Sequence, residues 1–430
     1  IIHGTPWKTF EQSGICYEIT EELSGRLLYY ESSRGCPFQC AYCLSGGTTG
    51  VRAKSAKKVA EDLLVFEKMQ TEFTAVKFVD RTFNFDPLRT KNILKALLSP
   101  IYTKTYHFEI CAELLDDETL EILKRYPAGK IQIEVGVQST YAPALQSVKR
   151  PQKTDLVLKR LAQLKALGNI HVHADLICGL PHESFERISQ SFDDVYPCCH
   201  KLQLGFLKLL RGTPIRSEAD RHGYSFLPDP PYTVLKSDVL SYEEICRLEA
   251  IAETLDRFNS GNFEAAVAFL ISLVHSPFSF YCALNKTFET MYPGLSLSQL
   301  SQRKAYELLY VFGLELCRTQ EEKQKLVSAL SFDFYLHESG ALPAFLPRDP
   351  EDNISDEASG EIKKQFADAQ KTLRFQHFFY PSLEVHRFLF LSGRIVIIDR
   401  KYHKWYAENP GSKEFIEQTG LPNRGLLKLT

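Results

Sequence analysis

Along the first half of the chain, short apolar runs alternate with longer amphipathic stretches. The runs are Leu27 to Tyr30, Ala75 to Val79, Tyr106 to Cys111, Ile131 to Val137, His171 to Ile177 and Leu202 to Leu210. Each has the length of a strand and is bounded by polar or turn-forming residues. Between them apolar positions recur at helical spacing, as with Val59, Leu63 and Phe66 in a stretch from Ser55 to Met69 that Ser55 is placed to cap. Similar patterns cover 88–98, 117–125, 154–167 and 184–196. Strand and helix in alternation predict a parallel sheet covered by helices. Six units, rather than eight, suit an open (β/α)6 partial TIM barrel over 27–240, with functional residues at the C-terminal ends of its strands.

The pattern then changes. Residues 215–240 contain Pro228-Asp229-Pro230-Pro231-Tyr232, which reads as a rigid extended linker. A helix is predicted from Ser241 to Phe258, with Ser241 and Glu244 at capping-box spacing. Further helices follow over 263–338, including Gln302 to Cys317 and Glu321 to Leu330, so that 241–345 forms a helical C-terminal domain. The acidic stretch from Asp349 to Glu361, within 346–362, reads as an exposed loop. Residues 363–430 form an extension with a β-hairpin, Val385 to Leu391 and Arg394 to Asp399, turning at Ser392-Gly393. Residues 1–26 lack periodicity and read as a lead-in. The predicted class is α/β: a partial (β/α)6 barrel, then a mainly helical domain with a terminal hairpin.

Composition narrows the setting. With 44% hydrophobic and 24% charged residues the chain is globular, and a net charge of -2 leaves no overall nucleic-acid footprint. Arg374, Arg387, Arg394, Arg400, Lys401 and Lys404 do lie among aromatic residues such as Trp405, for which a small domain with a solvated basic face is the plainer reading. No apolar run is long enough to suggest a membrane span, and no signal-peptide pattern is found. Eleven cysteines, an odd number at low density, point to a reducing compartment and a cytoplasmic protein. The first residue, Ile1, suggests a processed chain or a fragment.

The chemistry concentrates in Ser33-Arg34-Gly35-Cys36-Pro37-Phe38-Gln39-Cys40-Ala41-Tyr42-Cys43. Three thiolates can curl round one metal centre as a strand gives way to a loop. They are one short of the four that close an iron-sulfur or structural zinc site. As ligands of a [4Fe-4S] cluster, Cys36, Cys40 and Cys43 would leave one iron open to an exogenous ligand. The alternatives are three core cysteines or a zinc knuckle with a distant fourth ligand. Cys198 and Cys199 are adjacent, poor geometry for one iron, and Cys16, Cys111, Cys178, Cys246, Cys282 and Cys317 read as packing residues.

The spacing Cys-x3-Cys-x-Tyr-Cys resembles the signature of the radical S-adenosylmethionine (SAM) superfamily. The resemblance implies a [4Fe-4S] cluster on the three cysteines, SAM chelating the fourth iron, and reductive cleavage of SAM to a 5'-deoxyadenosyl radical. Tyr42, inside the signature, joins the cofactor-binding candidates. Asp80, in Val79-Asp80-Arg81-Thr82-Phe83, matches the turn whose backbone carbonyls usually hold the SAM amino group, although the Gly-Gly-Glu pattern is absent. Phe108-Glu109-Ile110, Gly136-Val137-Gln138-Ser139 and Asp175-Leu176-Ile177-Cys178-Gly179-Leu180-Pro181 resemble oxygen-independent coproporphyrinogen oxidase and its relatives. The implied roles place Glu109 near the methionine moiety, Gln138 and Asp175 near the ribose, and Arg150 on the SAM carboxylate. His171 and His173 share a strand face and could meet a substrate or metal if that face points inward.

The segments around Cys36 and Asp80 are also similar to a cobalamin-associated radical SAM group with an uncharacterised helical C-terminal domain. That likeness implies a cobalamin-dependent methyltransferase, although the chain carries neither an Asp-x-His-x-x-Gly motif nor a Rossmann-like domain before the barrel, so that a cobalamin domain would be absent from this chain. The expected activity is a radical SAM enzyme of unknown substrate, supplied with electrons by a partner such as flavodoxin or ferredoxin under anaerobic conditions. A non-catalytic iron-sulfur or zinc protein is the alternative from a different class, and a substrate-binding half of a tRNA- or porphyrin-modifying enzyme is a third.

Overall fold

Alternation within the barrel strands decides which side of the sheet is apolar. In the computed structural model, the structure describes residues 10, 11, 15, 26–47, 50–69, 75–348, 359, 383–388, 394–399 and 404–407. Nearly all of the lead-in and the acidic stretch, together with Cys16, Arg374, Arg400 and Lys401, lie outside them.

The strands are β1 (Leu27–Tyr30), β2 (Ala75–Phe78), β3 (Thr105–Ile110), β4 (Ile131–Gln138), β5 (Ile170–Cys178) and β6 (Lys201–Phe206). They form one parallel sheet in sequential order, and β1 and β6 remain its two edges. On β4, Ile131, Ile133, Val135 and Val137 are buried, whereas Gln132, Glu134, Gly136 and Gln138 between them are only half-buried. β5 repeats this with Ile170, Val172, Ala174 and Leu176 against His171, His173 and Asp175. The apolar face packs under α1 (Ala56–Lys68), α2 (Pro87–Leu97), α3 (Asp117–Lys124), α5 (Thr154–Ala166) and α6 (Phe185–Val195). The polar face lines the interior. Ser55 caps α1 as its position suggests, its side chain accepting from the Lys58 N–H at 3.2 Å. A short helix after β4, α4 (Ala142–Ser147), has no counterpart in the periodicity, which six residues are too few to reveal.

The segment after β6 departs from expectation. The run from Leu202 to Leu210 is a barrel strand only as far as Phe206. Beyond it the Val234 N–H donates to the Leu207 carbonyl and the Leu209 N–H to that of Tyr232, each at 2.9 Å. Residues 215–240 are therefore no extended linker. Ser225–Phe226 pairs antiparallel with Val234–Lys236, and the peptide between Pro230 and Pro231 is cis in the intervening turn. The reason is apolar burial: Val234 joins Ala41, Leu180, Leu207, Leu209, Ile215 and Tyr224 in one cluster.

The chain divides into two units, residues 1–249 and 250–430. Helix α7 (Tyr242–Phe258) begins with the expected capping box, the Ser241 N–H donating to Glu244 Oε2 at 2.8 Å and the Glu244 N–H to Ser241 Oγ at 3.2 Å. The second unit continues with α8 (Glu264–Val274), α9 (Pro277–Met291), α10 (Gln302–Leu316) and α11 (Gln320–His337). Phe263 and Tyr306 meet edge to face at 4.8 Å in its core, and Tyr306 meets Phe334 at 5.5 Å. Asp333 on α11 is buried and accepts from the Ala265 and Ala266 N–H groups at 3.1 and 2.9 Å. It thereby satisfies two of the free amides that open α8. The terminal hairpin is present as Leu383–Phe388 against Arg394–Asp399, with a third antiparallel strand, Lys404–Ala407, that the sequence pattern did not suggest. Among the described residues no single helix is long and apolar enough to cross a membrane.

Candidate cofactor cavity

The cysteine loop is built by close backbone approach. Gly35 has φ of +101°, and a Cβ there would stand 2.4 Å from the Gly50 carbonyl oxygen. The neck of the loop is closed by Ser33–Arg34, antiparallel to Arg52–Ala53. Inside it, the Cys43 N–H donates to the Cys40 carbonyl at 3.1 Å. Ala41 is tied at both backbone groups: its N–H donates to Val148 O at 2.8 Å and its carbonyl accepts from the Ile215 N–H at 3.1 Å. Cys36 Sγ lies 3.4 Å from Thr82 Oγ1.

Cys36, Cys40 and Cys43 line one cavity of about 360 Å³ over the strand ends, within the usual range for a small-molecule site. Tyr42, Glu109, Gln138, Arg150 and Asp175 line it as well. Eight of the nine candidate site residues are thus brought together.

Asp80 is the exception. It is fully buried and accepts from the Ser32 and Ser33 N–H groups at 2.7 and 3.0 Å, and from the Ser32 hydroxyl. Arg89 stands beside it, donating to Ser32 Oγ at 2.7 Å. A carboxylate so committed fastens β2 to the start of the cysteine loop, and its side chain does not reach the cavity.

Gln138 owes its place to a break in regularity. The register with β5 shifts between Gly136 and Gln138, and Gln138 has φ of +70°. Such a bulge at a strand end re-aims a side chain. A Cβ on Gly136 would come 2.2 Å from Gln138 Nε2, so glycine there leaves room for that amide. Arg150 Nη2 donates to the Gly136 carbonyl at 2.6 Å, and Nη1 points at Cys40 Sγ at 3.5 Å. Its Nε is buried without a hydrogen-bond partner among the described residues.

The interior face holds a ladder of ionisable side chains. Lys77 Nζ lies 2.9 Å from Glu134 Oε2 and 3.8 Å from Glu109 Oε1. His107 Nε2 is 2.9 Å from the same Glu134 oxygen, and His173 Nε2 is 3.4 Å from Asp175 Oδ1. His107 and Lys77 hold the Glu134 carboxyl down at about 2. Burial, with Glu134 and Glu109 adding to it, pushes Asp175 up to about 7. Glu109 is raised by burial and by Glu134.

Several wall residues were not among the candidates. Glu134 and Gln203 share the strand parity of Gln138 and Asp175, so alternation alone could have found them. Cys111, read as a packing residue, instead lines the cavity, because Asn84 clamps its backbone through Nδ2 to the carbonyl and Oδ1 from the N–H at 2.8 and 2.9 Å. His171 stacks on His200 at 5.4 Å and is absent from the wall. Among the described residues no three His, Cys, Asp or Glu side chains converge as on a single ion. The three thiols line the cavity without converging on one ion position.

The residues fit the groups that the motif implies. Cubane irons are held by separate thiolates, and a buried guanidinium nitrogen lacking an acceptor, next to Cys40, suits a carboxylate.

Residues 220–388 match a family described as "Protein of unknown function (DUF4080)". A curated relative, 2-(S-pantetheinyl)-carbapenam-3-carboxylate methyltransferase of Streptantibioticus cattleyicolor, is 29% identical over 163 residues, covering 36% of this chain and 23% of that protein. Among solved structures, the radical SAM methyltransferase TsrM of Kitasatospora setae, with cobalamin and a [4Fe-4S] cluster bound, is 14% identical with a TM-score of 0.41, covering 50% of this chain and 44% of that one. The cobalamin-dependent SAM radical enzyme OxsB with aqua-cobalamin is 13% identical with a TM-score of 0.43, covering 71% and 58%. The chain thus spans less than two thirds of each of these relatives. Residues 30–195 match the family described as the radical SAM superfamily.

Proposed function

We propose that this chain is a radical SAM enzyme in which Cys36, Cys40 and Cys43 hold a [4Fe-4S] cluster and the opposite wall of the cavity holds SAM. One observation carries the reading: three thiols line the same cavity as Arg150, whose guanidinium Nε is buried without a hydrogen-bond partner among the described residues. When bound, the cluster and SAM together supply one-electron cleavage of a sulfonium and a carbon radical able to abstract hydrogen from an unactivated position.

The chain's own residues bind and orient. Arg150 keeps Nη2 on the Gly136 carbonyl, which fixes the plane of its fork and leaves Nε for a carboxylate. Gln138, turned inward by the bulge, offers an amide to hydroxyl or ring nitrogen groups. Glu109 and Asp175 present carboxyl groups from neighbouring strands, and Tyr42 closes one side with an aromatic ring packed on the apolar cluster. Such a lining keeps bulk water off the reacting atoms.

The reading extends to a one-electron donor such as flavodoxin or ferredoxin, and to a reducing, oxygen-poor cytoplasm, which an exposed cluster requires. The test is anaerobic reconstitution with iron and sulfide, reduction with dithionite and addition of SAM, with 5'-deoxyadenosine followed by chromatography. Wild type should form it and Cys40→Ala should not. Four irons bound without any SAM-dependent spectral change or cleavage would defeat the reading.

Methyl transfer is the second reading, favoured by the identity shared with the curated methyltransferase. It calls for methylcobalamin. Quenching of tryptophan fluorescence on titration with methylcobalamin, saturating at one equivalent, would support it, and no binding would leave the first reading standing alone.

A further inference from the structure

Three carboxyl groups, Glu109, Glu134 and Asp175, face one cavity from three adjacent strands. Glu109 and Glu134 are direct neighbours in the β3–β4 register. Like charges opposite one another repel unless a cation stands between them. Lys77 is that cation. It reaches from β2 to within 2.9 Å of Glu134 and 3.8 Å of Glu109, while His107 takes the same Glu134 oxygen at 2.9 Å. Lys77 does not line the cavity and cannot touch what the cavity holds.

We propose that Lys77 is a positioning residue: by bridging Glu134 and Glu109 beneath the cavity, its ammonium holds the carboxyl floor in the arrangement that receives SAM. This inference rests on the reading of the cavity as a SAM site. Lys77 anchors Glu134 at the base of the ladder, so Glu109 and Asp175 keep their carboxyl groups available to the ligand. Without Lys77, Glu109 loses its ion-pair partner and keeps only the longer-range influence of Arg81 and His107, while Glu134 retains only His107. Asp175 also feels the change. The groups that face it are Glu109 from β3, Glu134 from β4, His173 on β5 itself, Lys77 from β2, Lys201 from β6, and Cys199 from the β5–β6 connection. Removal of one of the two lysines leaves the carboxyls more repulsive to one another and moves their titration upward.

The experiment measures SAM binding to the reconstituted chain by equilibrium dialysis from pH 5 to 9, for wild type, Lys77→Met and Lys77→Arg. Lys77→Met should weaken binding on the order of tenfold and move the pH midpoint upward, and Lys77→Arg should restore both. Wild-type affinity and midpoint in Lys77→Met would overturn the proposal. So would weaker binding with an unmoved midpoint, or failure of Lys77→Arg to restore, since a purely structural residue behaves that way. Urea unfolding of the SAM-free chain over the same range separates the two readings. Raised above the ordinary carboxyl value, Asp175 contributes stability that is lost as pH rises through about 7, and in Lys77→Met that loss should extend to higher pH. If wild type binds no SAM and this limb still moves, the SAM assignment fails and the charge arrangement stands. An unmoved limb overturns the role of Lys77 regardless of SAM.

Discussion

Arg150 and Cys40, 110 residues apart in sequence, meet in the cavity wall, the guanidinium Nη1 standing 3.5 Å from the thiol sulfur. The contact ties the proposed clamp for SAM to one of the proposed cluster ligands. Ala41, next to Cys40, is bonded to Val148, two residues before Arg150, so backbone and side chain reinforce the same junction.

Arg150→Lys should leave iron content unchanged while weakening SAM binding at least about tenfold. A lysine carries the charge but cannot keep the Gly136 carbonyl and offer a second planar donor to a carboxylate. Iron assay and equilibrium dialysis on the same preparation separate the two effects.

Gly136→Ala tests the bulge. Its methyl would require Gln138 Nε2 to leave its place, 2.2 Å away. Because the obstacle is the end of a flexible side chain, we expect a stability loss of about 1 kcal/mol but a marked loss of SAM affinity. Equal losses in both would show that Gln138 has no ligand role.

Glu183 gives a pH signature of its own. It is buried beneath the end of β4, accepting from Ser139 Oγ at 2.5 Å and Ser191 Oγ at 2.9 Å, and burial pushes its carboxyl up to about 7. The folded state therefore holds this proton more tightly than the unfolded chain. Its stability contribution is complete below the ordinary value of 4.5 and lost as pH rises to about 7. Glu183→Gln should remove on the order of 3 kcal/mol of that decline, read as a flatter urea-midpoint profile between pH 5 and 8.

In the second unit, Asp333→Ala leaves the Ala265 and Ala266 amides without their acceptor. A loss of about 2–3 kcal/mol is expected. Hydrogen exchange should quicken first at the start of α8, whereas uniform acceleration across the unit would argue against a capping role.

Much of the barrel was legible because its periods are local. Val59, Leu63 and Phe66 announce α1, and alternation on β4 announces both of its faces. The three cysteines were legible from spacing alone. What escaped depends on partners distant in sequence. Asp80 stands at a strand end, and the fact that its carboxylate is taken by Ser32 and Ser33 some 47 positions earlier shows only in the fold. The Pro-rich stretch has the composition of a spacer, yet Val234 beyond it finds Leu207 and Ile215 to pack against. Cys111 looks like any scattered thiol until Asn84 fixes its backbone. Lys77 lies within an apolar run and shows its use only when β3 and β4 set Glu109 and Glu134 beside it.

The division of labour between the two faces of the sheet has an evolutionary consequence. Residues such as Ile133, Val135, Val172 and Ala174 meet the helices and carry the burial that keeps the barrel folded, while the opposite face holds groups that contribute little to it. Mutations on the inner face are thus released from the apolar packing that the outer face must keep. A lineage could exchange Gln203, which lines the cavity, for another polar residue and explore new substrates, drawing on a scaffold that the exchange leaves intact.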